Sequence, residues 1–523
     1  MAGTPAPFMN AARPSVIDRT MSRLAAAYQM TERLWWEMSA RRILVLIAVL
    51  TAVRFVVAAN AGLLWDEPYY WMWSRHLAAG YYDHPPMVAY WIRAGTGIFG
   101  DSVLGIRLLF ILNTVVASLV VYGIGRALFS ERIAWLGVLW TNVTPLLGIA
   151  GMMATPDGPS VLFWTLAIFA YAMVVRTERG AWWLAVGVFA GLGAMSKYTN
   201  LFLGPGIVLS LLLDPRLRRW LASPWLWAGG LAAVAVFLPV VLWNAGHDWM
   251  SFRFQFGRVG EARFNAVYVL TLLAVQPVIF NPYAAVFVVR GIRQWLTRTS
   301  PYGREIGLLL TTTIPTVVFI VFQATHGEVL QHWLAPVFPT LALVAVAAAS
   351  TVPDGARLLR RLRTDTVPFA LVAALVVFVY ATTPLDRFFP GKDPLDSMRG
   401  WPAYAAEVET LKQKSGARWI ATVGYETTAE LSFELRDKAL VVPVTERARY
   451  AFAPAPDTAL LGEPALLVMR SRDYDQIARC FAAIAEVGVV IRRGAGKVLG
   501  ESRVYLAEGP VPDIFTLGCD LRR

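Results

Sequence analysis

Two adjacent carboxylates, Asp66 and Glu67, come almost directly after an apolar run at residues 43–60. A charged group held where hydrocarbon gives way to water is costly, so it usually has a function. A carboxylate there can act as a general base, or it can stabilise positive charge that develops on a reacting carbon. We therefore interpret residues 61–102, which also concentrate aromatic rings and histidines, as the active-site loop of a membrane enzyme. Both acids are candidate catalytic residues.

Two short amphipathic helices are predicted inside this loop. Helical spacing favours a helix over residues 68–79, and a second helix is expected to start at Pro85 and to end near Gly95 or Gly100. Helices of this kind lie in the headgroup layer of a membrane. The turn between them then holds Tyr81, Tyr82, Asp83 and His84.

Composition indicates the class of protein that positions these residues. Of the 523 residues, 56% are hydrophobic and 16% are charged, which is typical of a polytopic α-helical membrane protein. Apolar runs lie at residues 43–60, 103–125, 133–150, 159–175, 181–195, 199–213, 223–243, 266–289, 305–323, 334–350 and 367–383. We therefore predict about eleven transmembrane helices.

Arginines in the connecting loops predict the orientation. If the N-terminus is cytoplasmic, the internal loops hold fifteen arginines, whereas the opposite loops hold five arginines and Lys197. Because positive charge is enriched on the cytoplasmic side, the opposite loops are predicted to be external. They are residues 61–102, 151–158, 196–198, 244–265 and 324–333. An odd number of spans also places the C-terminal region outside. The net charge of +12 is thus mainly a topology signal, and no nucleic-acid partner is expected.

The external loops also hold most residues that could bind or transform a ligand. All five histidines lie in these loops or at their edges, and Lys197 is the only lysine before Lys392. Any one such residue could simply reach toward the interface, and Asp157, in a Pro-Asp-Gly-Pro turn, could simply cap a helix. The gathering of the whole set on one face instead favours a site. The candidates outside the first loop are Asp157, Lys197, His247, Arg258 and His332.

Three regions are expected along the chain. Residues 1–42 carry six arginines and are predicted to be a cytoplasmic segment before an uncleaved first span, with a signal peptide cleaved near Ala58 to Ala61 as the alternative. Residues 43–384 are predicted to be the transmembrane domain. Residues 385–523, where apolar runs shorten, are predicted to be a small external α/β domain.

This C-terminal region is predicted to alternate strands with helices. Strands are expected at residues 418–424, 440–444, 465–470 and 502–508, and helices near residues 402–414, 427–436 and 473–486. Because the region has no GxGxxG or Walker motif, its expected role is acceptor docking or stabilisation. One disulfide between Cys480 and Cys519 is an open alternative, but the helical spacing of Cys480 favours a core position.

Several segments together resemble a known family. They are WDEPYYW, the turn GYYDHPPM, TPDGP, SKYTN and the late HWLAPVFPTLALV. They are similar to the polyprenyl-phosphate-dependent membrane glycosyltransferases of the GT-C fold, in particular the protein O-mannosyltransferases and the bacterial aminoarabinose and galacturonic acid transferases that modify lipid A. The resemblance covers roughly residues 43–350 and is strongest in the first loop.

The resemblance implies a function and roles for individual residues. It implies transfer of a sugar, with inversion, from a polyprenyl-phosphate donor to a lipid, glycan or protein acceptor at the periplasmic face of the bacterial inner membrane. Asp66 matches the family's catalytic aspartate, and Glu67 is expected to support it. The expected donor-phosphate ligands are His84, Lys197 and Arg258. The expected cavity residues are Tyr82, Asp83, Asp157, His247 and His332. A divalent metal is left open, with Asp83, Asp157 and His247 as its candidate ligands.

One turn departs from the family pattern. The aminoarabinose transferases carry Glu-Lys-Pro, with the lysine near the donor phosphate, where this chain has Asp83, His84 and Pro85. A leaving phosphate needs nearby cations or donors. Neutralisation of the phosphate is therefore expected to shift toward Lys197 or Arg258.

Two functions of other classes remain as alternatives. A transporter or flippase of lipid-linked sugars would place ionisable groups near the membrane midplane, often in repeated halves, whereas here the acids gather at one face. A receptor or scaffold that only binds lipid is compatible with every residue named. Activity of the purified protein would separate it from an enzyme.

Overall fold

The structure is a computed structural model that describes residues 29–257, 264–383, 393–494 and 496–519. From residue 40 to residue 383 it is built of α-helices. In chain order they are α1 (Ala40–Asn60), α2 (Asp66–Arg75), α3 (Met87–Phe99), α4 (Val103–Leu128), α5 (Glu131–Asn142), α6 (Asp157–Thr177), α7 (Trp182–Ala194), α8 (Leu203–Leu213), α9 (Pro224–Ala245), α10 (Met250–Phe256), α11 (Ala266–Phe280), α12 (Pro282–Thr297), α13 (Gly303–Ala324), α14 (Phe338–Ser350) and α15 (Arg357–Thr382). A π-helix (Leu146–Ala150) and two 3-10 helices (Tyr198–Phe202 and Gln331–Val337) join neighbouring helices beside the site.

The helical membrane class predicted from composition is confirmed. Seven helical stretches in the described parts of the chain are long and apolar enough to cross a membrane: α1, α4, α6, α9, α13, α15 and Gln331–Ser350. The pair α11 and α12 is an eighth candidate, bent by 108°. The predicted runs at residues 133–150, 181–195 and 199–213 are also helical, but their α-helices are shorter. Hydropathy therefore predicted which segments are helical, whereas the observed helix lengths show which of them are long enough to cross a membrane.

The sharp bend between α11 and α12 has a local cause. Asn281 adopts a φ of 122°, and its side chain accepts hydrogen bonds from the backbone N–H groups of Tyr283 and Ala284. Pro282, which has no N–H, occupies the first turn of α12. Asn281 also donates to the Thr366 carbonyl at 2.9 Å, which ties the bend to α15.

The two helices predicted in the first loop are present as α2 and α3. Tyr81, in the turn between them, stacks on Trp73 with ring centroids 4.3 Å apart, and its hydroxyl donates to the Trp73 carbonyl at 3.1 Å. Most side chains of α2 are buried. Helix α2 therefore packs inside the protein, which differs from the expected helix lying open in the headgroup layer.

The C-terminal region contains the predicted small α/β domain. Its helices are α16 (Trp401–Ser415), α17 (Tyr425–Glu434) and α18 (Tyr474–Ile477), and its strands are β1 (Trp419–Thr422), β2 (Val441–Pro443), β3 (Ala465–Met469), β4 (Phe481–Gly494) and β5 (Lys497–Pro510). The sheet order is β2-β1-β3-β5-β4. Strand β1 is parallel to β2 and β3, whereas β5 is antiparallel to β3 and β4.

The predicted helix at residues 473–486 is wrong beyond its first turn. Helix α18 ends at Ile477, and the chain enters β4 at Phe481. The spacing of Ile477, Cys480 and Ile484 suggested a helix, but pairing along the whole of β5 favours a strand. Cys480 is buried, as expected, and it forms a disulfide with Cys519. The bridge that the sequence left open is therefore present.

The C-terminal domain packs directly on the first loop. Helix α17 covers α2, where Trp71 meets Phe433 edge to face at a centroid distance of 5.2 Å. Tyr69 of α2 contacts the ring of Tyr425 at 5.8 Å. The backbone at Met398 also approaches the first loop closely at Gly62, where an added Cβ would lie 1.9 Å from the Met398 carbonyl oxygen. This docking places C-terminal residues beside the acids of the first loop.

Candidate active site

A cavity of about 850 Å³ lies between the helix ends and the C-terminal domain. Its polar lining includes residues from the first loop, the start of α6, the connections around residues 197–199 and 323–333, and the C-terminal domain. Charged and titratable residues of the lining include Asp66, Asp83, His84, Asp157, Lys197, His332 and Arg449. Its apolar lining comes from residues such as Leu146, Leu147, Phe202, Phe319 and Trp333. A cavity of this kind can hold a ligand that has both a charged group and an apolar chain.

Asp66 is the acid of the first pair that lines the cavity. It lies in the first turn of α2 and is partly buried. Burial, and next the negative charge of Asp83, raise the pKa of the Asp66 carboxyl to about 6, while the positive charge of Arg449 acts in the opposite direction. Asp66 is therefore mainly ionised at neutral pH, with a pKa close to the value that suits a general base.

Glu67 points away from the cavity and is fully buried. Its two oxygens accept hydrogen bonds from Arg107 of α4, from Nε at 2.8 Å and from Nη2 at 2.5 Å. They also accept the backbone N–H groups of Leu64 at 2.7 Å and Ala154 at 2.8 Å. Neighbouring residues at a helix start diverge by about 100°. Glu67 therefore holds the helix ends together and lies outside the cavity lining.

Asp83 connects the first loop to the C-terminal domain. One oxygen accepts the Tyr69 hydroxyl at 2.8 Å, and the other accepts Nη1 of Arg449 at 2.5 Å. The side chain of Gln255 donates to the Asp83 carbonyl. Burial, and next the Asp83 charge, raise the pKa of the Tyr69 phenol, so Tyr69 stays a donor. The structure thus places Asp83 in the cavity wall, where it forms an ion pair with Arg449.

Asp157 and Lys197 form a second ion pair in the cavity wall. Nζ of Lys197 lies 2.6 Å from Oδ1 of Asp157, and Nε2 of His332 lies 3.6 Å from Oδ2. Lys197 is buried. Asp157 therefore does more than begin a helix, because it orients a lysine toward the cavity from a neighbouring connection.

The remaining predicted residues fall in different places. His84 lines the cavity, and its ring lies 6.3 Å from that of Tyr70. Tyr82 lies outside the cavity lining and packs on Phe254, which lines the cavity, with ring centroids 4.7 Å apart. His247 lies outside the lining, where it stacks on Trp243 at 4.2 Å. Arg258 lies outside the described residues.

The proposed metal ligands do not come together. Asp83 binds Arg449, Asp157 binds Lys197, and His247 uses Nδ1 in a contact of 2.7 Å with the Trp243 carbonyl. Among the residues that the structure describes, no group of three His, Cys, Asp or Glu side chains could hold a metal ion.

Two cavity residues, Tyr425 and Arg449, come from the C-terminal domain and were missed by the sequence interpretation. Arg449 lies on a 3-10 helix, Arg447–Tyr450, that is separated from the first loop by more than 300 residues. The sequence around it carries no motif. The nearest clue in the sequence was Asp83, because a buried carboxylate needs a cationic partner.

The geometry can support displacement at a carbon that carries an anionic leaving group. Asp66 offers a carboxylate to accept a proton, and Lys197 and Arg449 offer cations to an oxyanion. The cavity is partly shielded from water, which strengthens each of these interactions. The apolar part of the lining suits a lipid chain on the same ligand.

Known proteins share both sequence and fold with this chain. A family model described as dolichyl-phosphate-mannose-protein mannosyltransferase matches residues 83–243. The lipid A galacturonosyltransferase RgtD of Rhizobium johnstonii is 27% identical over 396 residues, which cover 75% of this chain and 80% of that protein. The undecaprenyl phosphate-alpha-4-amino-4-deoxy-L-arabinose arabinosyl transferase of Edwardsiella ictaluri is 27% identical over 328 residues, which cover 57% of this chain and 58% of that protein.

A solved structure extends the similarity to the whole fold. The crystal structure of ArnT from Cupriavidus metallidurans bound to undecaprenyl phosphate matches with a TM-score of 0.63 at 18% identity, and the match covers 90% of this chain and 98% of that one. The named relatives are sugar transferases, which supports the glycosyltransferase interpretation over the transporter or flippase alternative. The chain is thus a multi-pass membrane glycosyltransferase of the GT-C fold, similar in sequence to the protein mannosyltransferases and to the lipid A sugar transferases.

Proposed function

We propose that this enzyme transfers a sugar from a polyprenyl-phosphate donor to a hydroxyl of lipid A or of the adjoining lipopolysaccharide core. The observation that carries the proposal is the cavity in which Asp66 lies with Lys197, His84 and Arg449, next to an apolar wall. The galacturonosyl- and aminoarabinosyltransferase relatives support this donor and acceptor class.

The reaction follows from the roles of these groups. The acceptor hydroxyl gives its proton to Asp66 while its oxygen forms a bond to the anomeric carbon. The bond between that carbon and the phosphate oxygen breaks, and the electron pair leaves with the polyprenyl phosphate. Lys197 and His84 are the proposed donors that stabilise the charge on this phosphate. Attack opposite the leaving group inverts the configuration.

We place the site on the periplasmic face of the bacterial inner membrane. The uneven distribution of loop arginines supports this placement. The disulfide between Cys480 and Cys519 supports it independently, because structural disulfides persist in the periplasm and are rare in the cytosol. The two features concern different parts of the chain, and they favour the same orientation.

Transfer by the purified protein tests the proposal. The enzyme in lipid nanodiscs is incubated with lipid A and with radiolabelled polyprenyl-phosphate donors that carry a neutral hexose, a uronic acid or an aminopentose. We expect label to move from the polyprenyl phosphate to lipid A with at least one donor. Movement of intact donor across proteoliposomes without transfer would instead support a flippase, and binding without either outcome would support a receptor.

A further inference from the structure

Arg449 reaches the active-site cavity from the C-terminal domain, where its side chain is held on several sides. Nη1 lies 2.5 Å from Oδ1 of Asp83, and Nε lies 3.0 Å from Oε1 of Glu446. Its backbone carbonyl accepts the Tyr69 hydroxyl at 3.1 Å. The guanidinium therefore lies between the first loop and the C-terminal domain and contacts both.

Aromatic rings surround the same guanidinium. Its central carbon lies 4.9 Å from the ring centroid of Tyr425, and 5.3 Å from those of Tyr82 and Phe254. Such rings favour a cation while removing water from it. A planar, weakly hydrated guanidinium is the side chain best suited to bind phosphate or carboxylate through two hydrogen bonds. The site around Arg449 thus has the chemistry of an oxyanion-binding site. The carboxylate of Asp83 occupies part of this site.

The charges of the cavity support an exchange of that carboxylate for a ligand. Among the lysines and arginines in the described residues, Lys197 and Arg449 line the cavity. Asp66, Asp83, Asp157 and Glu328 line it as well, and a bound phosphate would add a further negative charge. Asp83 also accepts a hydrogen bond from the Tyr69 hydroxyl, which does not depend on Arg449. The carboxylate therefore retains a hydrogen-bond donor when Arg449 turns toward the ligand.

We propose that Arg449 is a substrate-binding residue that takes an oxyanion of the donor, and that Asp83 is the counterion it exchanges for this ligand. The inference rests on the proposed function and adds to it that the C-terminal domain completes the active site. The oxyanion is the donor phosphate or the carboxylate of a uronic acid sugar, because both present the same paired oxygens. The opposing interpretation is that the ion pair only fastens the C-terminal domain to the first loop.

Two substitutions separate these interpretations because they should act in opposite directions on the binding of undecaprenyl phosphate. Arg449→Gln removes the cation and should weaken binding about ten- to a hundredfold, the effect of losing a charge-assisted pair. Asp83→Asn removes the competing carboxylate and releases Arg449, so binding should tighten. A simple fastener predicts that both substitutions weaken binding together, because both break the same contact. Arg447→Gln is the matched control, since Arg447 lies on the same 3-10 helix but donates to the Pro443 carbonyl, and it should change binding little.

Binding is measured with the full-length protein in nanodiscs, using undecaprenyl phosphate and undecaprenol as probes. If the wild type binds neither, the proposed function itself is wrong. If the wild type binds the phosphate and Arg449→Gln binds it equally well, the KM for uronic acid and neutral hexose donors decides the source. A rise for the uronic acid donor alone assigns the sugar carboxylate, and no rise for either donor overturns the inference. If Arg449→Gln does not fold, Asp83→Asn carries the test through both its binding of undecaprenyl phosphate and its KM for the uronic acid donor, and no improvement in either value then overturns the inference.

Discussion

Arg107 separates the roles of two neighbouring acids by binding Glu67 in a pair whose side chains are both 0% exposed. The same guanidinium donates to the carbonyls of Ala58 and Ala61, at 3.0 Å each, and so ties the end of α1 to α4 and α2. Asp66, one residue earlier, is left facing the cavity. The buried pair therefore fixes the direction of α2 from outside the cavity lining.

Breaking this pair should destabilise the protein. Glu67→Gln leaves the Arg107 charge buried without its partner, which costs about 3–5 kcal/mol in comparable cases. We expect a large fall in the melting temperature of the purified protein. Glu131→Gln is the control, because the Glu131–Arg126 pair is 63% and 50% exposed and its loss should cost about 0–1 kcal/mol. Equal melting temperatures for the two variants would contradict the role given to Arg107.

Activity should fall as the pH is lowered through about 6, the pKa of Asp66. Protonated Asp66 cannot accept the acceptor proton, so kcat/KM should show an acidic limb near this value. Because the charge of Asp83 raises this pKa, Asp83→Asn should move the limb to lower pH. Asp248→Asn should not move it, since Asp248 is exposed and lies outside the cavity lining. A limb that stays in place in Asp83→Asn would detach the pH dependence from Asp66.

Lys197 should matter far more than an arginine of an internal loop. Lys197→Ala removes a buried cation from the cavity wall and should lower kcat/KM about ten- to a hundredfold. Arg293→Ala changes an exposed residue of α12 and should have an effect within about twofold. Folding of both variants is checked by their melting temperatures. Similar losses of activity would return Lys197 to a purely interfacial role.

The C-terminal domain should be oxidised and periplasmic. A reporter enzyme that works only after export should be active when it is fused after residue 390. A reporter enzyme that works only in the cytoplasm should be inactive at the same position. In protein denatured directly from cells, Cys480 and Cys519 should resist alkylation until a reductant is added. Thiols that react without reductant, together with cytoplasmic reporter activity, would reverse every loop assignment.

The sequence identified the local features well. The helical spacing of residues 68–79 and the helix start expected at Pro85 were sufficient to predict α2, α3 and the turn at Asp83. Local pattern also predicted four of the five strands. It failed at β4, because the apolar spacing around Cys480 is compatible with a helix and the pairing with β5 is a contact between segments.

The long-range partners could not be predicted from the sequence. Arg107 lies 40 residues from Glu67, and Arg449 lies 366 residues from Asp83. Nothing in the types of these residues specifies which acid each one binds. The docking of α17 on α2 determines both the burial of α2 and the entry of Arg449 into the cavity, and docking is a property of packed surfaces.

Asp66 is the proposed base that takes the proton of the acceptor hydroxyl, and Asp66→Asn tests this role most directly. Asparagine keeps the size of the side chain but removes its charge and basicity. Because burial raises the pKa of Asp66, ionisation of this group opposes folding at neutral pH, so the variant should be at least as stable as the wild type. Sugar transfer from the polyprenyl-phosphate donor to lipid A should fall by roughly 10²–10⁴ while donor binding stays near normal. A folded Asp66→Asn protein that transfers sugar at nearly the wild-type rate would contradict the account.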